Sequence, residues 1–334
     1  MSQLLRRLFP PNGTLRRFAE ACLPIVDALL APFTFLASAW LGFIRAAGVR
    51  HFALARRLFR ITGMFPVRDH YYEPLVNPAH LHAPLDKPRT LPGIAWSEDE
   101  QLAVLDQFDF NAELLALPRR AGAALTFHYD NPAYGPGDAE MLYNFLRHRK
   151  PQRLVEIGSG HSTLLARHAL ERNRAEGHAC RHICIEPFEN PWLEKLGVEV
   201  IRQRVELASL DVFGQLQAGD FLFIDSSHVI RPQGDVLHEY LRILPSLARG
   251  VHVQVHDIFT PYDYPDDIVR RDVCLWNEQY LLEAFLCHNR DFRITWMMHH
   301  LARQHWDRVV TKCPVLREHG GRRTGAAFWL EKIA

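Results

Sequence analysis

The sequence predicts an α/β fold with a parallel sheet, and two observations lead to this class. The first is the stretch 153–167, in which an apolar run ending at Ile157 precedes a Gly-Ser-Gly turn and a helical pattern. The second is the series of short apolar runs that alternate with helical patterns after it. Because alternating strands and helices form parallel sheets with right-handed crossovers, the chain from residue 138 onward is predicted to be a Rossmann-like domain.

The strands of this sheet are assigned to apolar runs, and the helices to amphipathic patterns between them. Helices are predicted over 138–149, 162–174, 207–217 and 233–247. The predicted strands cover residues 153–157, 182–186, 198–202, 220–225, 251–256, 292–298 and 326–330.

Composition indicates a globular protein and argues against nucleic-acid binding. The 334 residues are 48% hydrophobic, and 39 basic against 38 acidic residues give a net charge of +1, without the basic excess that a phosphate backbone attracts. Six cysteines form no Cys-x-x-Cys pair and no cleavable signal peptide is evident, which predicts a reducing cytoplasm. We expect three parts: an apolar, basic helical segment (1–62), a Pro- and aromatic-rich connecting region that lines a substrate pocket (63–137), and the Rossmann-like domain (138–334). For the segment Gly63–Pro74 of the connecting region, a rigid strap between domains is the alternative to a pocket lining.

The N-terminal part contains an uncharged stretch, residues 28–44, with arginines on both sides. Its seventeen residues are at the lower limit for a helix that spans a bilayer. Three interpretations fit the stretch: a helix docked on the protein or on a second subunit of a homo-oligomer, an interfacial anchor in peripheral membrane contact, and a true span. Its length and Pro32 favour the first interpretation.

A glycine turn follows the first predicted strand, at the sheet edge where open α/β folds bind ligands. Gly158 and Gly160 would let a ligand approach the backbone closely, and Ser162 is predicted to cap the next helix. The dinucleotide fingerprint needs a third glycine where this chain has Thr163, which disfavours a nicotinamide oxidoreductase. An ordinary strand–helix turn without a ligand is the alternative.

Polar side chains follow further strands: Glu186, then Asp225 with His228, then His256 with Asp257. The carboxyl ends of parallel strands share one edge, so these groups are expected to converge. Glu186 can accept hydrogen bonds from both ribose hydroxyls of a nucleoside. Asp225 and Asp257 can share a divalent cation with His256, and His228 or His256 would be the base without one. A purely structural role for each histidine is the alternative.

An ordered set of motifs covers most of the chain from Gly63 onward. Its segments are His70–Pro74, Asp138–Glu140, Glu156–Thr163, Ile185–Pro187, Phe223–His228, His256–Phe259, Tyr264–Pro265 and Asn277–Tyr280. This set resembles bacterial class I S-adenosylmethionine (SAM) methyltransferases, in the subgroup related to macrocin O-methyltransferase and to cephalosporin hydroxylase-like proteins.

The resemblance implies a seven-stranded sheet with an antiparallel last strand, SAM as cofactor, and methyl transfer to a small-molecule acceptor, at a hydroxyl oxygen. It implies a divalent metal, Mg²⁺ or Mn²⁺, on Asp225, His256 and Asp257, although metal-dependent relatives have a carboxylate where this chain has His256. A nucleotide-binding oxidoreductase or hydroxylase-like enzyme and a non-catalytic SAM-binding module are the alternatives. The residues implied to bind SAM are Glu156, Gly158, Ser159, Gly160, Ser162 and Glu186, and those implied in catalysis are His228, Asp225 and His256.

Overall fold

The computed structural model describes residues 14–321 and 324–334. The chain divides into two units, Met1–Leu81 and His82–Ala334. The boundary between these units lies inside the connecting region of our three-part division, which stays a prediction.

Two helices dominate the first unit. Helix α1, Thr14–Ala47, contains the uncharged stretch 28–44, and helix α2 covers Ala53–Thr62. Short 3₁₀ turns lie at Val49–His51 and Pro78–His80. Most large apolar side chains of α1 are exposed, whereas Ile44 near its end is buried. Packing of this helix on the protein or on a second subunit stays a prediction.

The described residues of the second unit hold a seven-stranded sheet in the order β3-β2-β1-β4-β5-β7-β6. Strands β1 to β5 are parallel, whereas β7 runs antiparallel to both β5 and β6, which confirms the predicted antiparallel last strand. The strands are β1 Arg153–Ile157, β2 Arg181–Ile185, β3 Glu199–Ile201, β4 Phe221–Ile224, β5 His252–Val255, β6 Phe292–Met297 and β7 Phe328–Lys332.

Helices cover both faces of this sheet, because alternate side chains of each strand point to opposite faces. Leu154 and Phe221 belong to one apolar cluster, whereas their neighbours Val155 and Leu222 belong to another. The helices of the second unit are α3 Glu98–Leu105, α4 Asn111–Ala116, α5 Asp138–Arg149, α6 His161–Ala175, α7 Asp211–Gly214, α8 Asp235–His238, α9 Leu244–Ser246, α10 Glu278–Leu286, α11 Met298–Gln304, α12 Trp306–Val309 and α13 Pro314–His319.

Short 3₁₀ or π segments complete these elements. They lie at Leu193–Leu196, Val205–Leu207, Glu239–Ile243 and Asp267–Arg271. The π segment Glu239–Ile243 joins α8 to α9, so the predicted helix 233–247 is present from Asp235 to Ser246 with one irregular turn.

The predicted helix 207–217 is wrong, because the chain there forms only a 3₁₀ turn and the four-residue α7. The Ser209 hydroxyl oxygen accepts a hydrogen bond from the Asp211 amide at 3.2 Å. Such a local side-chain bond offers the backbone an alternative to the helical ladder. The stretch is therefore a turn although its apolar spacing is helical.

Candidate active site

Gly158, directly after β1, packs against the backbone of Asp225, directly after β4, and leaves no room for a side chain. Gly158 has φ +77°, and a Cβ atom there would lie 2.0 Å from the Asp225 carbonyl oxygen. The Asp225 amide in turn donates to the Ile157 carbonyl at 2.9 Å. Only glycine permits this approach, so the glycine turn fixes the position at which Asp225 leaves β4.

Glu156 is bonded to the side chains that hold the glycine turn. Its side chain is fully buried, and the Thr163 hydroxyl donates to Glu156 Oε2 at 2.6 Å. The Gly160 amide donates to Thr163 Oγ1 at 3.0 Å, and His182 Nε2 lies 3.0 Å from Glu156 Oε2. Glu156 therefore holds the turn together through Oε2, whereas its Oε1 has no hydrogen-bond partner in the described part of the chain, and its contact with the cofactor stays a prediction.

The helix after the turn begins one residue earlier than predicted. Helix α6 starts at His161 with Gly160 as its N-cap, so Ser162 lies inside the first turn and is buried. Ser162 is therefore not the cap, because Thr163 already makes the side-chain bond to the Gly160 amide. Ser162 shows no contact that points to a ligand.

Glu186 follows β2 directly and faces the glycine turn. Its Oε1 accepts hydrogen bonds from the amides of Phe188 at 2.9 Å and Glu189 at 2.8 Å, and the Ser159 amide lies 3.4 Å from Oε2. Asn190 Nδ2 donates to the Ser159 carbonyl at 2.7 Å. Because a carboxylate has about four acceptor positions, Glu186 retains capacity for ligand hydroxyls. The structure thus brings Glu186 and Ser159 together, as predicted.

Two histidines and two aspartates converge at the ends of β4 and β5. His228 Nε2 lies 3.3 Å from Asp225 Oδ1 and 3.6 Å from Asp257 Oδ2. His256 Nδ1 lies 3.6 Å from Asp225 Oδ1 and 3.7 Å from Asp257 Oδ1. Each imidazole therefore presents one nitrogen to the same pair of carboxylates, and this confirms that the strand ends gather these residues.

Each histidine is held from behind by a buried carboxylate that sequence reasoning did not select as a site residue. His228 Nδ1 lies 2.8 Å from Glu278 Oε2, and His256 Nε2 lies 3.2 Å from Asp138 Oδ2. Since an ionised carboxylate only accepts, the proton on each of these nitrogens is assigned to histidine. The only signal in the sequence was that Asp138 and Glu278 lie in the motifs that carry the family resemblance.

These supporting carboxylates are themselves anchored by hydrogen bonds. The Tyr240 hydroxyl donates to Glu278 at 3.0 Å. Asp138 accepts amide hydrogen bonds from Ala326 at 2.8 Å and from Ala327 at 2.7 Å. The same bonds explain why β7 begins at Phe328 and not at the predicted residue 326, because the Ala326 and Ala327 amides are used by Asp138.

Electrostatics in the cluster favours protonated histidines in the absence of another cation. Burial lowers the pKa of His228, but the carboxylates of Asp225 and Glu278 outweigh burial and raise that pKa well above its ordinary value. The pKa of His256 is raised likewise, against burial, by Asp257 and Asp225. Burial raises the pKa of Asp225, yet the two histidines bring it below its usual range. The cluster therefore needs positive charge between its carboxylates.

Backbone strain accompanies this chemistry. His228 and Asp257 have φ values of 58° and 56°, in the left-handed region that non-glycine residues seldom adopt. The Trp276 ring contacts the His228 ring, with centroids 4.5 Å apart. Strained residues held by their surroundings concentrate at functional sites, which agrees with the position of this pair.

A cleft of about 830 Å³ opens beside His256 and Asp257. Its volume is typical of small-molecule sites. Both apolar rings and polar groups line it, among them Asn131, Asp138, Phe259, Trp276, His299 and Arg303.

A protein family and a known protein resemble parts of this chain. Residues 155–258 match the family described as "Methyltransferase domain". An uncharacterised protein of Archaeoglobus fulgidus is 26% identical over 162 residues, which cover 44% of this chain and 72% of that protein.

Two solved structures with low overall similarity are O-methyltransferases. TomG from Streptomyces achromogenes, in complex with SAM, is 15% identical, with 72% of this chain and 92% of that chain covered and a TM-score of 0.34. The Bacillus cereus enzyme in complex with S-adenosylhomocysteine (SAH) is 13% identical, with coverages of 71% and 92% and a TM-score of 0.33.

The matched residues 155–258 run from β1 through the glycine turn, Glu186 and Asp225 to the pair His256 and Asp257. They therefore contain most of the site described above. The strand order and the antiparallel β7 form the Rossmann-like sheet that the resemblance implies, and within it residues 155–258 match a methyltransferase domain.

Proposed function

We propose that this enzyme transfers the SAM methyl group to a hydroxyl oxygen of a small-molecule acceptor, with the help of a divalent cation. The observation that carries the proposal is the convergence of two imidazole nitrogens on Asp225 and Asp257. This cluster adjoins the glycine turn through the contact between Gly158 and Asp225. An oxygen nucleophile needs to lose its proton for methyl transfer, and the cluster is suited to support that loss.

SAM is assigned to the glycine turn and to Glu186. Gly158 and Gly160 leave space next to the backbone, the Ser159 amide faces the same side as Glu186, and the Glu186 carboxylate can accept from ribose hydroxyls. SAM carries its methyl group on a sulfonium, which leaves as a neutral thioether when the methyl group is transferred. The protein contributes mainly by holding cofactor and acceptor in reactive proximity.

The residues of the cluster fit a cation by their chemistry. His256 Nδ1 is buried and has no hydrogen-bond partner in the described part of the chain, although it faces two carboxylates. Glu278 and Asp138 each accept a hydrogen bond from one nitrogen of a histidine, which sets the ring orientation and leaves the other nitrogen available to a cation, as in many metal centres. Two nitrogens and two carboxylates suit Mn²⁺, Fe²⁺ or Zn²⁺ better than Mg²⁺. A cation bound there would lower the pKa of an acceptor hydroxyl.

The carboxylates around His228 support the cation over a histidine base. Burial lowers the pKa of His228, but Asp225 and Glu278 raise it well above its ordinary value, which favours the protonated imidazole, and a protonated imidazole cannot act as a base. Metal binding requires the neutral imidazole and displaces that proton. His228 would then act as a ligand beside Asp225, His256 and Asp257.

The cleft supports a small molecule as acceptor. Trp276 and Phe259 offer aromatic surface, while the Arg303 guanidinium offers hydrogen bonds. The six cysteines are all free, which agrees with a reducing cytoplasmic location. A homo-oligomer is part of the proposal only as an expectation from the sequence.

Labelled methyl transfer tests this function. The protein is incubated with methyl-labelled SAM and a fractionated small-molecule extract, in EDTA and after addition of Mn²⁺ or Mg²⁺. We expect transfer to a small molecule that EDTA abolishes, that Mn²⁺ restores best, and that Asp257→Asn lowers at least about tenfold. The exposed Asp106→Asn serves as the matched control. Full activity in EDTA would remove the cation from the mechanism, and labelling of protein alone would refute a small-molecule acceptor.

A further inference from the structure

Helix α1 exposes an unusual amount of apolar surface in the described part of the first unit. Phe33 and Phe35, two positions apart and so on opposite sides of the helix, are 70% and 73% exposed. The other large apolar side chains exposed on α1 are Phe18, Leu23, Ile25, Val26, Leu29, Leu30, Leu36, Trp40 and Phe43. Such a surface is stable only when another apolar phase or protein covers it.

The length and charge pattern of α1 match the hydrocarbon layer of a bilayer. From Leu23 to Ile44 the only charged residue is Asp27, near the start of the stretch. Twenty-two helical residues rise about 33 Å, and the hydrocarbon core is about 30 Å thick. The segment Glu20–Ala47 is the one helix in the described residues long and apolar enough to cross a membrane. An interfacial helix would carry a charged face over this stretch, and α1 has none between Ala28 and Ile44.

Helix α2 has the opposite pattern. Its exposed Leu54, Leu58 and Ile61 share one face, whereas Arg56 and Arg60 lie on the other. A basic face opposite an apolar face is typical of helices that lie among anionic headgroups. Helix α1, apolar on all sides, therefore has the pattern of a helix inserted in a bilayer, and α2, apolar on one face and basic on the other, has the pattern of an interfacial helix.

Aromatic rings gather where α1 ends and α2 begins. The rings of Trp40, Phe43 and Phe52 lie 5.8 to 6.1 Å apart. Aromatic residues are enriched where hydrocarbon meets headgroups. Next to them, Arg45 makes a two-point salt bridge to Glu73 at 2.6 and 2.7 Å, which ties the end of α1 to the following segment.

We propose that residues 20–65 anchor the enzyme in a lipid bilayer that contains anionic lipids. In this arrangement α1 enters the hydrocarbon, the ring cluster lies at the boundary, and α2 lies among headgroups with Arg56, Arg57 and Arg60 near lipid phosphates. A second copy of the chain is the less suitable occupant, because paired α1 helices would cover one side each and leave either Phe33 or Phe35 in water.

Vesicle flotation of the full chain tests the anchor. Protein is mixed with phosphatidylcholine vesicles, with or without phosphatidylglycerol, and vesicle-bound protein is then washed with high salt and carbonate. We expect flotation that withstands both washes and increases with phosphatidylglycerol. Leu29→Glu/Leu36→Glu should lower flotation at least about tenfold, since each buried charge opposes insertion. Its matched control is Leu207→Glu/Leu241→Glu, which changes two similarly exposed leucines in the second unit.

A second variant, with three substitutions in α2, distinguishes the contribution of α2 from that of α1. Arg56→Gln/Arg57→Gln/Arg60→Gln should retain flotation but lose the preference for phosphatidylglycerol. Unchanged SAH-induced stabilisation in each variant shows that the second unit is folded, independently of membrane binding. The anchor is refuted if carbonate releases the wild-type protein, or if wild type fails to float and forms a dimer that Leu29→Glu/Leu36→Glu makes monomeric. It is also refuted if the N-terminus of protein isolated from cells lies after Ala47.

Discussion

At the scale of single residues, the geometry of the site depends on two positions of the glycine turn, Gly158 and Thr163. A side chain would not fit at the first, and the second makes a hydrogen bond that holds the turn. Gly158 allows β1 to touch the Asp225 carbonyl, and Thr163 replaces the glycine of a dinucleotide turn with a hydroxyl that holds Glu156. The sequence predicted Gly158 as a ligand contact. Its contact with Asp225 depends on the pairing of β1 with β4, which local sequence does not reveal.

Replacing Gly158 tests this packing. Gly158→Ala should lower the free energy of unfolding by more than about 2 kcal/mol and weaken SAH binding at least about tenfold, because the new methyl displaces the Asp225 backbone. Gly219→Ala is the matched control, since Gly219 also has positive φ, +88°, but no neighbour within 4 Å. Its cost should be about 1 kcal/mol, measured by urea unfolding. Equal costs for both variants would contradict the proposed contact.

Two neighbouring buried carboxyl groups should respond differently to the same change. Glu278 supports His228, so Glu278→Gln should lower Mn²⁺ affinity about 10- to 100-fold. Burial, and the charge of Glu278, raise the pKa of Glu239 well above its usual range, which favours its neutral form, so Glu239→Gln should change Mn²⁺ affinity little. Calorimetric titration with Mn²⁺ measures both affinities. If Glu239→Gln lowered the Mn²⁺ affinity as much as Glu278→Gln, the loss would come from disturbing this part of the core and not from losing the support of His228.

At the scale of elements, the sequence predicted the strands because each is an apolar run, and the observed bounds differ by at most two residues at either end. The misses have tertiary or local causes. Helix 207–217 fails at Ser209, and β7 starts late because Asp138 takes the Ala326 and Ala327 amides. Asp138 and Glu278 enter the site from the first turns of α5 and α10, and only the fold brings those turns to the strand ends.

Strand β5 gives a pH dependence that can be measured. Burial lowers the pKa of His252 to about 4, with a further contribution from Arg149. His252 therefore binds a proton near pH 6.5 in the unfolded chain but only near pH 4 in the folded chain. The free energy of unfolding consequently falls as the pH drops from about 6.5 to about 4. Between pH 7 and pH 5 this amounts to about 2 kcal/mol. In His252→Gln the loss measured by urea unfolding should be smaller by that amount, and an identical loss would contradict the prediction.

At the scale of the whole molecule, the two units follow different rules. In His82–Ala334 the carboxyl ends of parallel strands meet at one edge, so Asp225, His256 and Asp257 were predictable from strand positions alone. In Met1–Leu81 the uncharged stretch predicted a helix, but apolar composition does not distinguish protein from lipid as its partner. The exposure of most large apolar side chains of α1 in the structure is the observation on which the proposed membrane anchor rests.

The decisive experiment for the cofactor site is titration calorimetry of the whole chain with SAH, with NAD as the comparison. We expect one SAH site per chain, no heat with NAD, and an affinity that falls at least about tenfold in Glu186→Gln, because a neutral amide accepts less well from ribose hydroxyls. The exposed Glu189→Gln is the control. Binding of NAD without SAH, or SAH binding unaffected by both Glu186→Gln and Gly158→Ala, would contradict the assignment of this site.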